Sequence, residues 1–137
     1  MRNISLFIAA GAMASLGVPA RAADAEPVPY DTAIRCAAVD TILSSVLESS
    51  AKAPGGDETD RQMAEHFDGM LRYWMIHAAS LKSEDAALAA YSETVTGLVE
   101  QVKTADGEDA FKAILGDDMA KCGELEQEAM MANAPGD

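Results

Sequence analysis

His66 and His77 are the only histidines in the chain, and they are its candidates for metal ligation or acid–base chemistry. On a helix with about 100° between residues, they fall along one border of an apolar stripe together with Met70 and Tyr73. Imidazole and thioether groups suit copper or haem iron. The predicted metal ligands are therefore His66, Met70 and His77. The alternative is structural, with both rings at the edge of the core and Met70 filling it.

The distance between the two histidines limits such a site. They are eleven residues apart, which corresponds to about 16 Å along a helix axis. One ion cannot contact both, so a site would need ligands from other helices. The sequence does not identify those ligands.

Motifs for cofactors and catalysis are missing from the sequence. It contains no haem-attachment CxxCH motif, glycine-rich phosphate loop, nucleophile elbow or zinc-protease motif. Acidic clusters at 57–60 and 106–109 lack the alternating spacing of calcium ligands and are typical of helix N-termini. We therefore predict no cofactor, no catalytic residue and no enzyme, although 23 acidic residues allow many carboxyl pairs in three dimensions.

Cys36 and Cys122 are the only cysteines and lie near opposite ends of the chain. In an oxidising compartment such a pair is expected to form a disulfide. Closing a ring of roughly 86 residues would stabilise the fold by about 4–5 kcal/mol in the loop-entropy model. Two buried thiols or a metal site are the alternatives, and the absence of a CxxC or a nearby Cys/His pair disfavours metal.

The first 22 residues have the features of a signal peptide. Arg2 is followed by an uncharged apolar run over 4–18, and a small-x-small cleavage pattern ends at Ala22. The run is shorter than the roughly 20 residues of a bilayer span, which disfavours the alternative of an uncleaved anchor. We expect cleavage after Ala22, with cleavage after Ala23 as the alternative. The sequence then predicts a periplasmic or secreted protein, a flexible lead-in over 23–30 and a disordered tail over 133–137.

The charge of the chain restricts its partners. The sequence has 23 acidic and 10 basic residues, a formal net charge of −13, and removal of Arg2 and Arg21 with the signal peptide leaves 8 basic residues. Such a surface repels phosphate backbones and anionic membranes. We expect no nucleic acid and no membrane insertion after processing. A basic exported protein is the natural electrostatic partner, and acidity for solubility alone is the simpler alternative.

Hydrophobic periodicity predicts an all-α domain of four helices over 31–132. Asp31 is the predicted N-cap of a first helix over 32–51, a second helix covers 59–80, Ser83 caps the third, and the fourth begins near Asp106. Gly116 is a candidate break in the fourth helix. The predicted core consists of Val39, Leu43, Val46, Phe67, Met70, Trp74, Leu88, Tyr91, Val95, Leu98, Val102, Phe111, Leu115 and Leu125.

The short connections between these helices favour antiparallel neighbours and an up-down-up-down bundle. In that topology the start of the first helix lies beside the later half of the fourth. Cys36 and Cys122 fall in those two places. The topology and the predicted disulfide between helices 1 and 4 are therefore consistent.

Three segments of the chain form a recognisable layout, namely Cys36-Ala37-Ala38, the aromatic run over 71–77 and Ala120-Lys121-Cys122. This layout resembles that of small exported helical proteins of alphaproteobacteria with one disulfide, most of which are uncharacterised. The general plan is also similar to HdeA-like periplasmic acid-stress chaperones, whose cysteines are closer together, and to the periplasmic immunity proteins that neutralise secreted cell-wall amidases. The resemblance implies a helical fold and an exported location, and it supplies no activity.

Two functional hypotheses follow. The first is a non-enzymatic exported protein that binds another protein, in a chaperone-like or inhibitor-like role. Methionine-rich surfaces adapt to varied apolar partners, and a chaperone version would loosen near pH 3–4 as carboxylates are protonated. The second is a periplasmic metal- or haem-binding bundle that uses the edge containing His66, Met70, Tyr73 and His77.

Overall fold

A computed structural model describes residues 26–133, in which four α-helices and no strands are present. Helix α1 spans Tyr30–Lys52, α2 spans Glu58–Leu81, α3 spans Glu84–Thr104 and α4 spans Glu108–Ala132. The predicted all-α class and the four helices are confirmed. The predicted signal peptide and most of the predicted tail lie outside the described residues. None of the described helices has the length and hydropathy needed to cross a membrane.

The helix ends follow local sequence signals. Ser83 accepts a hydrogen bond from the amide of Ala86 at 3.1 Å, which confirms its predicted role as N-cap. Gly55, in the turn after α1, has φ +85°, a left-handed conformation that glycine adopts without a steric penalty. Helix α4 is continuous through Gly116, so the candidate break there is not used.

The predicted N-cap at Asp31 is wrong. Helix α1 starts two residues earlier, with Pro29 at the N-cap, and Asp31 lies in the first turn. An acidic side chain is favourable in that turn as well, because it interacts with the positive end of the helix dipole. The composition of the segment therefore fits both positions, and the sequence could not distinguish them.

Helix α1 forms the centre of the fold, since it contacts each of the other three helices and contacts α2 most extensively. Its alanines allow this close packing. Ala33 and Ala37 are fully buried beside Trp74, which is itself 0% exposed. A second group of buried apolar residues joins Val39 of α1 to Leu98 of α3 and Leu115 of α4. Burial of such large side chains contributes about 1.5–3 kcal/mol each.

The disulfide between Cys36 and Cys122 is present, with an S–S distance of 2.06 Å, and it confirms the predicted pairing. Both cysteines are buried, at 0% and 3% exposure. Next to them, Arg35 donates two hydrogen bonds to Asp118 Oδ2, at 2.9 Å from Nε and 2.7 Å from Nη2. A covalent bond and an ion pair thus join the same two stretches of chain.

Two residues of the predicted core are exposed. Val46 is 49% exposed, and α1 buries no residue beyond Ser44. Leu88 is 51% exposed, and the neighbouring Ala87 is buried instead. The hydrophobic periodicity of α3 predicts that its largest apolar side chains are buried. Against the alanine-rich core, the small side chain of Ala87 is buried in place of Leu88.

The other predicted core residues are at least half-buried. Fully or largely buried are Val39, Met70, Trp74, Leu98 and Leu115. Half-buried are Leu43, Phe67, Tyr91, Val95, Val102, Phe111 and Leu125. The phenol of Tyr91 also hydrogen-bonds the Thr41 hydroxyl at 2.7 Å, which satisfies a polar group at the edge of the core.

Candidate functional site

A groove of about 340 Å³ lies between α1, α2 and α4, and we call it the methionine groove. Its apolar walls include Met63, Phe67, Met119 and Met130. The three methionines are 44%, 38% and 49% exposed. Thioether side chains are flexible and polarisable, so a surface of this kind adapts to apolar partners of different shapes.

Two carboxyl groups from different helices meet in the interior of this groove. Asp40 of α1 is 1% exposed and Glu126 of α4 is 6% exposed, and both line the groove. Carboxyl groups are rarely this deeply buried unless a partner or a proton compensates their charge. The pair is therefore the most unusual polar feature of the fold.

Burial, followed by the charge of Glu126 and a side-chain interaction with Glu126, raises the pKa of Asp40 from its ordinary value of 3.8 to about 8. Asp40 consequently keeps its proton at neutral pH, which removes the cost of burying its negative charge. The nearby indole N–H of Trp74 partly opposes the shift. Its geometry falls short of a hydrogen bond, since neither Trp74 Nε1 nor Asp40 Oδ2 has a partner among residues 26–133.

His66 lies at the mouth of the groove. Its ring nitrogen Nε2 is 4.0 Å from Glu126 Oε2, and its side chain is 47% exposed. The ring also packs edge-on against Phe67, with 5.5 Å between ring centroids. His66 can therefore interact with Glu126 and with anything that enters the groove, while it remains accessible to solvent.

The other predicted metal ligands are not brought to this place. Met70 is 9% exposed and packs in the core beside Trp74. His77 Nε2 is 2.8 Å from the carbonyl oxygen of Val28, so it contacts the segment before α1. Tyr73 is 37% exposed and packs edge-on against Trp74. Of the predicted set, only His66 is at the groove.

The contact of His77 also bears on the lead-in that the sequence predicted to be flexible. Val28 is half-buried and packs against the Trp74 core. The ammonium of Lys82 lies 3.8 Å from the ring centroid of Tyr30, a cation–π contact. Val28 and Tyr30 thus contact α2 and its C-terminal end, whereas Glu26, Pro27 and Pro29 are exposed, and the flexibility of the lead-in stays a prediction.

Within residues 26–133, no three histidine, cysteine or carboxylate side chains lie close enough together to hold a metal ion. The ligand set His66, Met70 and His77 stays a prediction, with its members in three different environments.

Sequence reasoning did not single out Asp40 or Glu126. One sequence signal was available, because Asp40 directly follows the apolar stretch 36–39 of α1. A charged residue there is expected at the edge of the buried face, and only the position of α4 makes that edge interior. Comparison with protein-family models, with curated proteins and with solved structures found no match to this chain, so the function has to be argued from this geometry.

Proposed function

We propose that this protein is an exported, non-enzymatic helical protein that binds another protein, and that the partner docks in the methionine groove. The observation that carries the proposal is the groove itself, an apolar surface whose three methionines are 38–49% exposed. Exposed apolar surface of this kind marks interaction sites in proteins. Chaperone-like and inhibitor-like roles share this docking step and differ in whether the partner is unfolded or folded.

The partner is expected to present a basic segment with apolar flanks. The chain has 23 acidic residues against 10 basic ones, so a basic partner is attracted at long range. Apolar flanks fit the thioether and aromatic walls of the groove. Electrostatic attraction and apolar burial thus favour the same class of partner.

We also propose that the four helices run up-down-up-down and that the disulfide closes the bundle between its first and last helix. The connections over 53–57, 82–83 and 105–107 are short, which favours antiparallel neighbours. Cys36 lies near the start of α1 and Cys122 in the later half of α4. This is the placement that antiparallel first and fourth helices require.

We place the mature protein in the periplasm or outside the cell, after removal of residues 1–22. A disulfide is compatible with an oxidising compartment and uncommon in the cytosol. N-terminal sequencing of the protein purified from the periplasm tests this part. A sequence that starts at Ala23 supports cleavage after Ala22, and recovery of Met1 contradicts it.

The docking proposal is tested with labelled peptides of fixed apolar composition that carry either basic or acidic residues. Fluorescence anisotropy at low salt is expected to show binding of the basic peptides alone. Met130→Ser should weaken that binding at least five-fold, because removal of a thioether contact worth about 1 kcal/mol changes Kd by that factor.

Met131→Ser is the matched control, since Met131 is the next residue, is 72% exposed and is not among the groove residues. It should leave binding unchanged. Equal weakening by both variants would place the binding surface elsewhere. Absence of binding by the basic peptides would contradict the proposal.

A further inference from the structure

The buried end of the methionine groove contains a carboxyl oxygen that has no hydrogen-bond partner among residues 26–133. Asp40 is 1% exposed, lines the groove, and leaves Oδ2 without a hydrogen-bond donor in the described part of the chain. An unpaired buried acceptor is unfavourable, because it has lost water without gaining a partner. The position therefore favours any donor that can reach it through the groove.

At neutral pH a bound proton neutralises the Asp40 carboxyl group but leaves Oδ2 without a hydrogen-bond partner in the described part of the chain. The raised pKa of Asp40 has burial as its main cause and Glu126 as its second, so the acid form of Asp40 faces the carboxyl group of Glu126. The remaining groups that face the pair from α2 are the Trp74 indole and His66. No charged side chain of α3 contributes to the shift. The site thus has hydrogen-bond-accepting carboxyl oxygens on α1 and α4, and few positively charged groups nearby that could pair with them.

We propose that the Asp40–Glu126 pair binds one arginine side chain of the partner protein, whose guanidinium enters through the groove, donates hydrogen bonds to the two carboxyl groups and displaces the proton that Asp40 holds. The inference rests on the proposed function, since it names the residue that the docking segment inserts into the groove.

Arginine fits this position better than lysine for geometric reasons. Its planar guanidinium offers five donors and pairs with two carboxyl oxygens at once, and it loses less hydration than an ammonium. Its aliphatic stem would run along the apolar walls of the groove, and its planar group can stack on the ring of Phe67 or His66. A guanidinium also remains protonated at every pH of interest.

The exchange of a proton for a guanidinium makes binding pH-dependent. Below the pKa of Asp40 the guanidinium has to displace a proton, so its affinity rises with pH, up to tenfold per unit, and levels off above that pKa. One proton is released for each guanidinium bound. A pair with a purely structural role would not link proton release to a ligand.

The test uses the disulfide-bonded protein and two small probes, N-butylguanidinium and its neutral planar analogue N-butylurea. Trp74 is the only tryptophan and is close to Asp40, so its fluorescence and the NMR shifts of α1 and α4 report occupancy. We expect saturable binding of N-butylguanidinium, at least tenfold tighter than N-butylurea and about tenfold tighter at pH 7 than at pH 6. Calorimetry in two buffers of different ionisation enthalpy should count about one proton released.

Asp40→Asn and Glu126→Gln should each weaken binding of N-butylguanidinium at least tenfold, and the use of two variants protects the test against misfolding of one. Asp117→Asn, an exposed acid of α4, is the matched control and should bind as the wild type does. Equal binding of N-butylurea, or an affinity independent of pH, would overturn the inference. Binding of N-butylammonium as tight as that of N-butylguanidinium would overturn the choice of arginine.

The two proposals fail in different ways. If basic peptides bind Asp40→Asn as tightly as the wild type, docking in the groove stands and the arginine site is refuted. If N-butylguanidinium binds as expected but no basic peptide does, the carboxyl pair binds cations and the protein-docking function is refuted.

Discussion

Helices α1 and α4 are similar in length, at 23 and 25 residues, but they are held in the fold by different interactions. α1 buries nine residues, most of them apolar. α4 buries only Leu115, Cys122 and Glu126, which are one apolar side chain, one half of the disulfide and one carboxyl group. The association of α1 depends mainly on the hydrophobic effect. In α4 the half-buried Phe111, Ile114 and Leu125 add to Leu115, but the disulfide contributes a larger share of what holds the helix in place.

The difference indicates which part of the molecule responds to conditions. Stabilisation by apolar burial changes little with pH or redox potential. A disulfide responds to redox potential, and a buried acid pair responds to pH. Elements with few buried apolar contacts open at lower free energy than the core. α4 supplies Met119, Met130 and Glu126 to the methionine groove, so the most weakly packed helix forms part of the proposed binding surface.

Removal of the disulfide is expected to have the largest effect. The double variant Cys36→Ala, Cys122→Ala should lower the free energy of unfolding by about 4–5 kcal/mol, because the bond links positions 86 residues apart. Urea unfolding measures the total. Amide hydrogen exchange should show the greatest loss of protection in α4, with α1 and α2 the best protected. Equal loss of protection in all four helices would contradict the contrast between α1 and α4.

A matched pair of leucines in α3 tests the apolar packing around α1. Leu98 is 1% exposed and packs with Val39, whereas Leu88 is 51% exposed. Leu98→Ala should destabilise the protein by about 2–5 kcal/mol, and Leu88→Ala by less than about 0.5 kcal/mol. Urea unfolding of both variants checks this. Similar losses for both would mean that Leu88 is buried in solution, as its periodicity predicts.

The acid pair should make stability fall as pH rises. Asp40 has a raised pKa, so the folded protein holds a proton that the unfolded chain releases. Its stabilising contribution is complete below the ordinary value of 3.8 and is lost as pH rises to about 8. Asp40→Asn should remove up to about 1.4 kcal/mol per pH unit of this slope between pH 5 and pH 8. Urea unfolding across this range measures it.

Asp117→Asn is the control for that titration and should keep the slope of the wild type. Parallel slopes for Asp40→Asn and the wild type would show that Asp40 titrates normally.

The acids at the start of α2 change stability with pH in the opposite direction to Asp40. Hydrogen bonds to Thr59 and Arg61 lower the pKa values of Asp57 and Glu58, respectively, so their contribution is present above their ordinary pKa and is lost in acid.

The ion pair between Arg35 and Asp118 should have the smallest effect. The two side chains are 39% and 26% exposed, so solvent and salt screen the interaction. Asp118→Asn is expected to lower stability by about 0.2–1 kcal/mol, and the loss should shrink in 1 M salt. A double-mutant cycle with Arg35→Gln isolates the pair. A coupling above 2 kcal/mol would mean that this contact, and not the disulfide, dominates the attachment of α4.

The helices were predictable because their signals are local. The Pro-Gly-Gly turn over 54–56 and the cap at Ser83 depend on nearby backbone geometry, and Cys36 and Cys122 had only each other as partners. The face of each helix was less predictable. The register of α3 was assigned to Leu88, yet Ala87 is the residue that fits against the small side chains of the core.

The candidate site was predicted only in part. His66 was selected for its chemistry and lies at the groove, while Met70 and His77 were selected by the same helical spacing and lie elsewhere. A spacing rule describes one helix, whereas the groove is made by three. Asp40 and Glu126 are 86 residues apart, and no pattern within either helix indicates that they meet.

The sequence by itself determined the four helices, the acidic surface and the one disulfide available to the described chain, because periodicity, composition and a single pair of cysteines specify them without reference to neighbours. The tertiary structure alone decided that Asp40 faces Glu126, that Ala87 is buried in place of Leu88, and that three methionines border one groove. The reason is physical. Burial, and with it the pKa of a carboxyl group, depends on which helices surround a residue, and that arrangement is set by long-range packing.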